Sequence, residues 1–131
     1  MKVASLVAVL ITLANLTACT RATQPPKSGE SFVELQTQAG DEMIARRIDS
    51  AQAKSLDHFS VSPGNHTLEL GIVIAGYQNS NRRCIATLAY KDFAPDHHYT
   101  LQQSRSDREV KVVLVDSRGL NVAQAGKVAC L

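Results

Sequence analysis

The stretch His66–Ala75, which reads HTLELGIVIA, decides the fold of this chain. Its large aliphatic side chains recur at alternate positions, namely Leu68, Leu70, Ile72 and Ile74. Successive side chains of a strand point to opposite faces, so this period of two predicts a β-strand with one face in a hydrophobic core. A glutamate and a glycine interrupt the run, and it is too short to cross a bilayer as a helix.

Short apolar or alternating runs continue on both sides of that strand, with turn residues between them. The candidate strands are Phe32–Leu35, Phe59–Val61, Ile85–Tyr90, Tyr99–Gln103, Val110–Val115 and Leu120–Leu131. Ile85–Tyr90 is apolar at both parities, which predicts a central strand covered on both faces. Ser62–Asn65 is a strong turn, because its proline presets φ and its glycine accepts a positive φ. This spacing predicts an all-β fold over residues 30–131, a small antiparallel β-sandwich or a partly open barrel.

One region allows two interpretations. Met43–Ile48 fits a strand, followed by a loop or helical turn through Asp49–Leu56. The alternative is a helix over Asp41–Ser55, since Met43, Ile44 and Ile48 have helical spacings and three alanines favour helix. The strand is the favoured prediction.

The start of the chain carries a targeting signal. Lys2 is followed by the apolar run Val3–Leu13 and then by Leu16–Cys19, which reads LTAC. This arrangement resembles the lipobox of bacterial lipoproteins, with small residues just before a cysteine. The resemblance implies a signal peptide over residues 1–18 and acylation of Cys19 with fatty acids such as palmitate. Each buried CH₂ adds roughly 0.8 kcal/mol, so several acyl chains anchor a protein durably in a membrane.

The residues after the cysteine predict a tether and the membrane in which the anchor lies. Residues 19–29 form the acylated cysteine and a polar tether that contains two prolines and no apolar residue larger than alanine. In the lipoproteins that this segment resembles, an aspartate directly after the acylated cysteine retains the protein in the inner membrane. Thr20 occupies that position here, which points to the bacterial outer membrane, with the domain facing the periplasm.

A second resemblance lies in the domain itself. Val61–Leu70, which reads VSPGNHTLEL, is similar to the strand–turn–strand hairpin of PEGA-like β-domains of envelope proteins. Ala94–Leu101, which reads APDHHYTL, resembles a second element of such domains, although Asp96 stands where glycine is usual. The resemblance covers Phe59–Leu101 and implies a β-sandwich that binds or scaffolds. It transfers no active-site residue, because the matched positions are turn and core residues.

The cysteine count agrees with export. Of three cysteines, acylation of Cys19 leaves Cys84 and Cys130, which an oxidising periplasm would allow to form a disulfide. It would close a loop of roughly 47 residues, for which the chain-entropy model gives about 4 kcal/mol. Two separate thiols are the alternative, and neither cysteine belongs to a CxxC pair that would indicate a metal site.

Candidate chemistry is sparse. His97 and His98 are adjacent and would point to opposite faces of a strand, whereas Asp96 with His98, or His66, could in principle supply a zinc or copper site. A solvent-facing polar turn is the favoured interpretation of these histidines. The chain has neither a GxSxG elbow nor an SxxK pair. We therefore expect a protein without enzymatic activity, cofactor or catalytic residues.

The charge pattern limits the partners. The net charge is +2 and falls to about +1 when Lys2 leaves with the signal, which gives no reason to expect nucleic acid. Gly76–Arg83 and Ser104–Glu109 are the longest polar connections, and loops on a rigid sandwich often carry binding function. Tyr77, Arg82 and Arg83 are the candidate contacts to an envelope protein. The expected function is an envelope accessory or structural module anchored in the membrane, and the alternative is an inhibitor or sensor that binds a soluble hydrolase or a metal ion.

Overall fold

The computed structural model describes residues 28–106 and 109–131, which include ten β-strands. The expected signal peptide, Cys19 and most of the expected tether lie outside these residues. The strands are β1 Ser31–Gln36, β2 Glu42–Ile48, β3 Ala51–Gln52, β4 His58–Val61, β5 Gly64–Ile74, β6 Arg82–Phe93, β7 His98–Ser106, β8 Glu109–Val115, β9 Asn121–Gln124 and β10 Ala129–Cys130. One turn of 3₁₀ helix covers Tyr77–Asn79.

The strands form two five-stranded sheets that pack face to face. The first sheet has the order β4-β1-β7-β8-β9, and the second has the order β10-β6-β5-β2-β3. The sheets do not close into a barrel, and all pairings are antiparallel except that of β1 with β7. The predicted all-β sandwich is confirmed.

The alternating strand predicted over His66–Ala75 lies at the centre of the second sheet as β5, between β6 and β2. Its buried residues are Leu68, Leu70, Ile72 and Ile74. They meet buried side chains of the first sheet, among them Val33, Phe59, Leu101, Val112 and Leu114. Because burying one such side chain is worth about 1.5–3 kcal/mol, this layer supplies most of the cohesion of the domain.

The region for which the sequence allowed a strand or a helix, Met43–Ile48, is the favoured strand. β2 spans Glu42–Ile48 and buries Met43 and Ala45 while Ile44 is exposed, which is strand periodicity and rules out the helix. The expected loop or helical turn that follows is only partly correct. Asp49 and Ser50 have φ of 49° and 70°, and they form a two-residue turn that returns the chain into the short strand β3.

The turn at Ser62–Asn65 has the expected backbone but a different place in the topology. Gly64 has φ of 108°, as a glycine after proline allows. However, β4 belongs to the first sheet and β5 to the second, so this turn carries the chain from one sheet to the other. It does not join two paired strands, as the hairpin implied by the resemblance would.

Two further expectations are corrected. β6 lies inside its sheet, but only one face is covered: Cys84, Ala86 and Leu88 are buried, while Thr87 and Ala89 on the other face are exposed. The predicted loop Ser104–Glu109 is largely strand. β7 continues to Ser106, which pairs directly with Glu109 of β8.

Candidate functional site

A cleft with a volume of about 760 Å³ lies between the sheets at one end of the sandwich. This is within the range of ligand-binding clefts, about 300–1,000 Å³. It forms where the chain leaves β9 of the first sheet and crosses to β10 of the second. Its lining residues are Arg82, Glu109, Val110, Lys111 and the segment from Gln124 to Cys130.

The cleft lies far from the point where the chain enters the domain. The backbone N–H of Gly29 donates to Oδ1 of Asp96 at 2.7 Å, and Ser31 donates to the carbonyl of Ala94, so the entry point is beside the last residues of β6. Arg82 is the first residue of β6. Twelve strand residues span about 36 Å, which places the cleft at the opposite end of the sandwich from Gly29. We call it the distal cleft.

A disulfide between Cys84 and Cys130 holds the segment that lines the distal cleft, so the predicted pairing is confirmed. The two cysteines lie opposite each other on β6 and β10, with Cα atoms 4.0 Å apart. The neighbouring amide of Leu131 donates to the carbonyl of Arg83 at 2.9 Å, which makes the cysteines a non-hydrogen-bonded pair. Side chains approach each other most closely at such positions, so the site suits a cross-strand bridge.

The rim of the distal cleft is cationic. Arg82, Lys111 and Lys127 contribute three positive charges and Glu109 one negative charge. The ion pairs formed within residues 28–106 and 109–131 include none of these four side chains. Apolar side chains such as Val110 and Val128 complete the lining. A cleft with this composition attracts anions.

The structure separates the three predicted contact residues. Arg82 and Arg83 belong to β6, not to a loop, and therefore point to opposite faces. Arg82 lines the distal cleft, and the exposed Arg83 pairs with Val73 on the sheet. Tyr77 does not line the cleft.

Tyr77 instead projects into solvent from the 3₁₀ turn, and its side chain is 86% exposed. The turn is tight at Gly76, because a Cβ there would lie 1.9 Å from the carbonyl oxygen of Ser80. Ser80 returns two hydrogen bonds to the carbonyl of Tyr77, from its amide and its hydroxyl. The loop thus presents the phenol as a fixed, exposed aromatic group.

Two smaller clefts lie elsewhere on the sandwich. One, of about 430 Å³, lies near the entry point and is lined by Tyr90, His97, Tyr99 and the Asp116–Arg118 turn. There the Arg118 guanidinium pairs with Asp116 at 2.9 Å, and partial burial raises the pKa of Tyr90. The other, of about 270 Å³, lies on the outer face of β2 and is lined by Ile44, Arg47 and Leu56 among others.

The histidines and acids named from the sequence do not converge. His97 contacts the carbonyl of Pro95 at 2.8 Å, and His98 lies 3.3 Å from Glu34 across the β1–β7 pair. Asp96 accepts from Gly29, whereas His66 contacts Asp49. Within the part of the chain that the structure describes, no group of three histidine, cysteine or acidic residues is placed to hold a metal ion.

The sequence did not indicate the hydrogen-bonded chain of Ser62, His66 and Asp49. Ser62 Oγ lies 2.9 Å from Nε2 of His66, and Nδ1 of His66 contacts Oδ2 of Asp49. The other Asp49 oxygen accepts from the amide of Thr67 at 2.8 Å. The hydrogen bond from His66, then that from Thr67, holds the pKa of Asp49 below its ordinary value.

The order of groups in this chain matches a serine–histidine–aspartate relay. The only signal in the sequence is a serine four residues before a histidine across a turn. A hydrolase also needs a cleft that positions the substrate, and neither Ser62 nor His66 lines any of the three clefts above. What the contacts do provide is a link between the β2–β3 turn and the start of β5.

No family model, no curated protein and no solved structure matches the chain. In the described residues, no helix is long and apolar enough to cross a membrane. The function is therefore inferred from the sequence motifs together with the geometry above.

Proposed function

We propose that this protein is a lipid-anchored module of the bacterial envelope without enzymatic activity. Acylated Cys19 holds it at the periplasmic side of the outer membrane, and its β-sandwich binds an envelope protein as an accessory or structural partner. The lipobox-like segment Leu16–Cys19 and the PEGA-like segment Phe59–Leu101 support this proposal by resemblance.

The observation that carries the proposal is the pairing of Cys84 with Cys130. Disulfides persist in oxidising compartments such as the periplasm and are rare in the cytosol. The pairing also accounts for the odd cysteine count, since it leaves Cys19 as the single cysteine outside the domain, within the motif where acylation is expected.

The anchor is tested with the full chain in a Gram-negative host that is fed an alkyne-tagged fatty acid. We expect the wild-type protein to be labelled and to fractionate with the outer membrane. Cys19→Ala should abolish both, whereas the matched variant Cys84→Ser/Cys130→Ser should remain labelled. Thr20→Asp should move the labelled protein to the inner membrane. An unlabelled wild-type protein with three free thiols would overturn the proposal.

Binding is tested by cross-linking in cells, with a photoreactive residue in place of Tyr77 and, as the control, in place of exposed Thr87. An envelope protein captured at position 77 alone supports the accessory role. Capture of a soluble hydrolase at that position would instead favour the inhibitor role.

A further inference from the structure

We propose that the distal cleft binds an extended acidic segment of a partner protein, which adds as a strand to the free edge of β10. The proposal deepens the proposed function and rests on it in two respects, that the partner is an envelope protein and that the chain is anchored at Cys19. Three features of the cleft carry it: its charge, its exposed backbone edge and its position relative to the anchor.

The charge selects an anionic ligand. Among the described lining residues three are cationic and one, Glu109, is acidic, although the whole chain is nearly neutral. Arg82 and Lys111 come from the two sheets, and Lys127 comes from the crossing segment, so the cationic residues of the lining belong to three separate segments. An acidic segment placed there would meet complementary potential along its length, which favours both its encounter rate and its orientation.

The backbone of β10 selects an extended peptide over a compact anion. β10 is the last strand of its sheet, and Leu131 donates to Arg83 of β6. Because backbone groups alternate in direction along an antiparallel strand, the N–H and C=O of Cys130 point away from β6. Within the described residues no strand pairs with the outer side of β10, and an edge of this kind pairs readily with another extended chain. The disulfide fixes β10 in place, so the edge is formed before the ligand arrives.

The position of the cleft argues against the headgroups of the anchoring membrane as its ligand. The chain enters the sandwich at Gly29, and Arg82 lies about 36 Å away at the other end of β6. Surface charges act over a Debye length of about 8 Å at physiological salt. The cleft therefore lies several Debye lengths from the end of the sandwich at which the tether joins it.

The test uses the full acylated chain in detergent micelles and a fluorescent twelve-residue peptide of alternating Glu and Val, read by anisotropy. We expect saturable binding that Lys111→Glu/Lys127→Glu weakens at least tenfold. The matched control Lys54→Glu/Lys91→Glu reverses two exposed lysines elsewhere and should leave the affinity within about twofold. Arg82→Glu serves as an independent second variant, and the thermal unfolding of all three variants is compared with wild type.

A second probe tests strand addition. In this peptide the valines are replaced by proline, which keeps the charge but removes the amide hydrogen of every second residue and disfavours pairing as a strand, and we expect at least fivefold weaker binding. Equal affinity for the two peptides would overturn strand addition, and equal loss in the cleft and control variants would overturn the cleft as the site. Binding of vesicles rich in phosphatidylglycerol, or of purified peptidoglycan, that depends on the cleft lysines and exceeds peptide binding would replace the protein partner with that ligand.

These outcomes are separable from those of the proposed function. The cleft variants leave Cys19 and the tether intact, so fatty-acid labelling and membrane fractionation should be unchanged. Failure of acylation would overturn the anchor without affecting peptide binding, and failure of peptide binding would leave the anchor in place.

Discussion

The buried carboxylate of Asp41 accepts a hydrogen bond of 3.0 Å from the side-chain amide of Gln103, and this contact joins the two sheets of the sandwich. Asp41 lies just before β2 of the second sheet, and Gln103 lies on β7 of the first. The same carboxylate accepts from the amide of Ala75 at 3.1 Å and pairs with Nε of Arg105 at 3.3 Å. Its side chain is fully buried, so every partner that it loses would leave a charge without compensation.

Asp41→Ala should therefore lower the free energy of unfolding by about 2–3 kcal/mol, because it removes the acceptor of the Gln103 amide and the ion-pair partner of the partly buried Arg105. The measurement is urea unfolding followed by circular dichroism. Asp92→Ala removes an exposed carboxylate on β6 and should change stability by less than about 0.5 kcal/mol. Equal losses in the two variants would show that the buried contacts of Asp41 are not the cause.

Removing the disulfide should lower the free energy of unfolding by about 2–4 kcal/mol, since the bridge between Cys84 and Cys130 closes a long loop in the unfolded chain. The variant is Cys84→Ser/Cys130→Ser, measured with and without dithiothreitol. Wild type should lose the same stability when it is reduced, whereas the variant should not respond to the reductant. A response of the variant would mean that the reductant acts elsewhere.

Leu88→Ala should lower the free energy of unfolding by about 3 kcal/mol, because Leu88 is fully buried between the sheets and truncation leaves a cavity. The adjacent substitution Thr87→Ala is the matched control, as Thr87 lies on the exposed face of the same strand. We expect it to cost less than about 1 kcal/mol. A similar loss in both variants would contradict the assignment of the two faces of β6.

The contacts of Asp49 predict a pH-dependent contribution to stability. Its pKa in the folded state is lowered from the ordinary value of 3.8 by His66 and by the amide of Thr67. The stabilisation is therefore present above pH 3.8 and is lost as the pH falls through the lower folded-state pKa. Wild type should be more stable than Asp49→Asn at pH 6, and the gap should shrink at pH 2.5.

The readout for that prediction is the urea midpoint across the pH range, with Asp92→Asn as the control. The urea midpoint of the control should differ from that of wild type by the same amount at every pH. A gap between wild type and Asp49→Asn that is constant with pH would show that the carboxylate charge contributes nothing through these contacts.

Most strands could be predicted from the sequence, whereas strand ends, the division of Leu120–Leu131 into β9 and β10, and the site could not. The alternation from Leu68 to Ile74 identifies β5 without ambiguity, because a strand's periodicity is local. Met43–Ile48 contains consecutive apolar residues, and only its pairing with β5 identifies it as a strand. Arg82 resembles a loop residue by composition, yet it continues a ladder in which its partner is Ile74.

The distal cleft escaped prediction for a different reason. Arg82, Lys111 and Lys127 are far apart in the chain, and no local pattern relates them. They meet because β6 and β8 belong to facing sheets and the last segment crosses between them, held by the disulfide. Likewise, Asp49 contacts His66 only because the β2–β3 turn lies beside the start of β5.

The sequence by itself determined the all-β class and the two cysteines that were available to pair, because these follow from alternation within a strand and from a residue count. Tertiary structure alone decided the order of the strands, the parallel pairing of β1 with β7 and the gathering of three cations at one end. The physical reason is that these features depend on which distant strands exchange hydrogen bonds and bury each other's faces. Strand pairing depends on the packing of the whole core and cannot be read from any single segment.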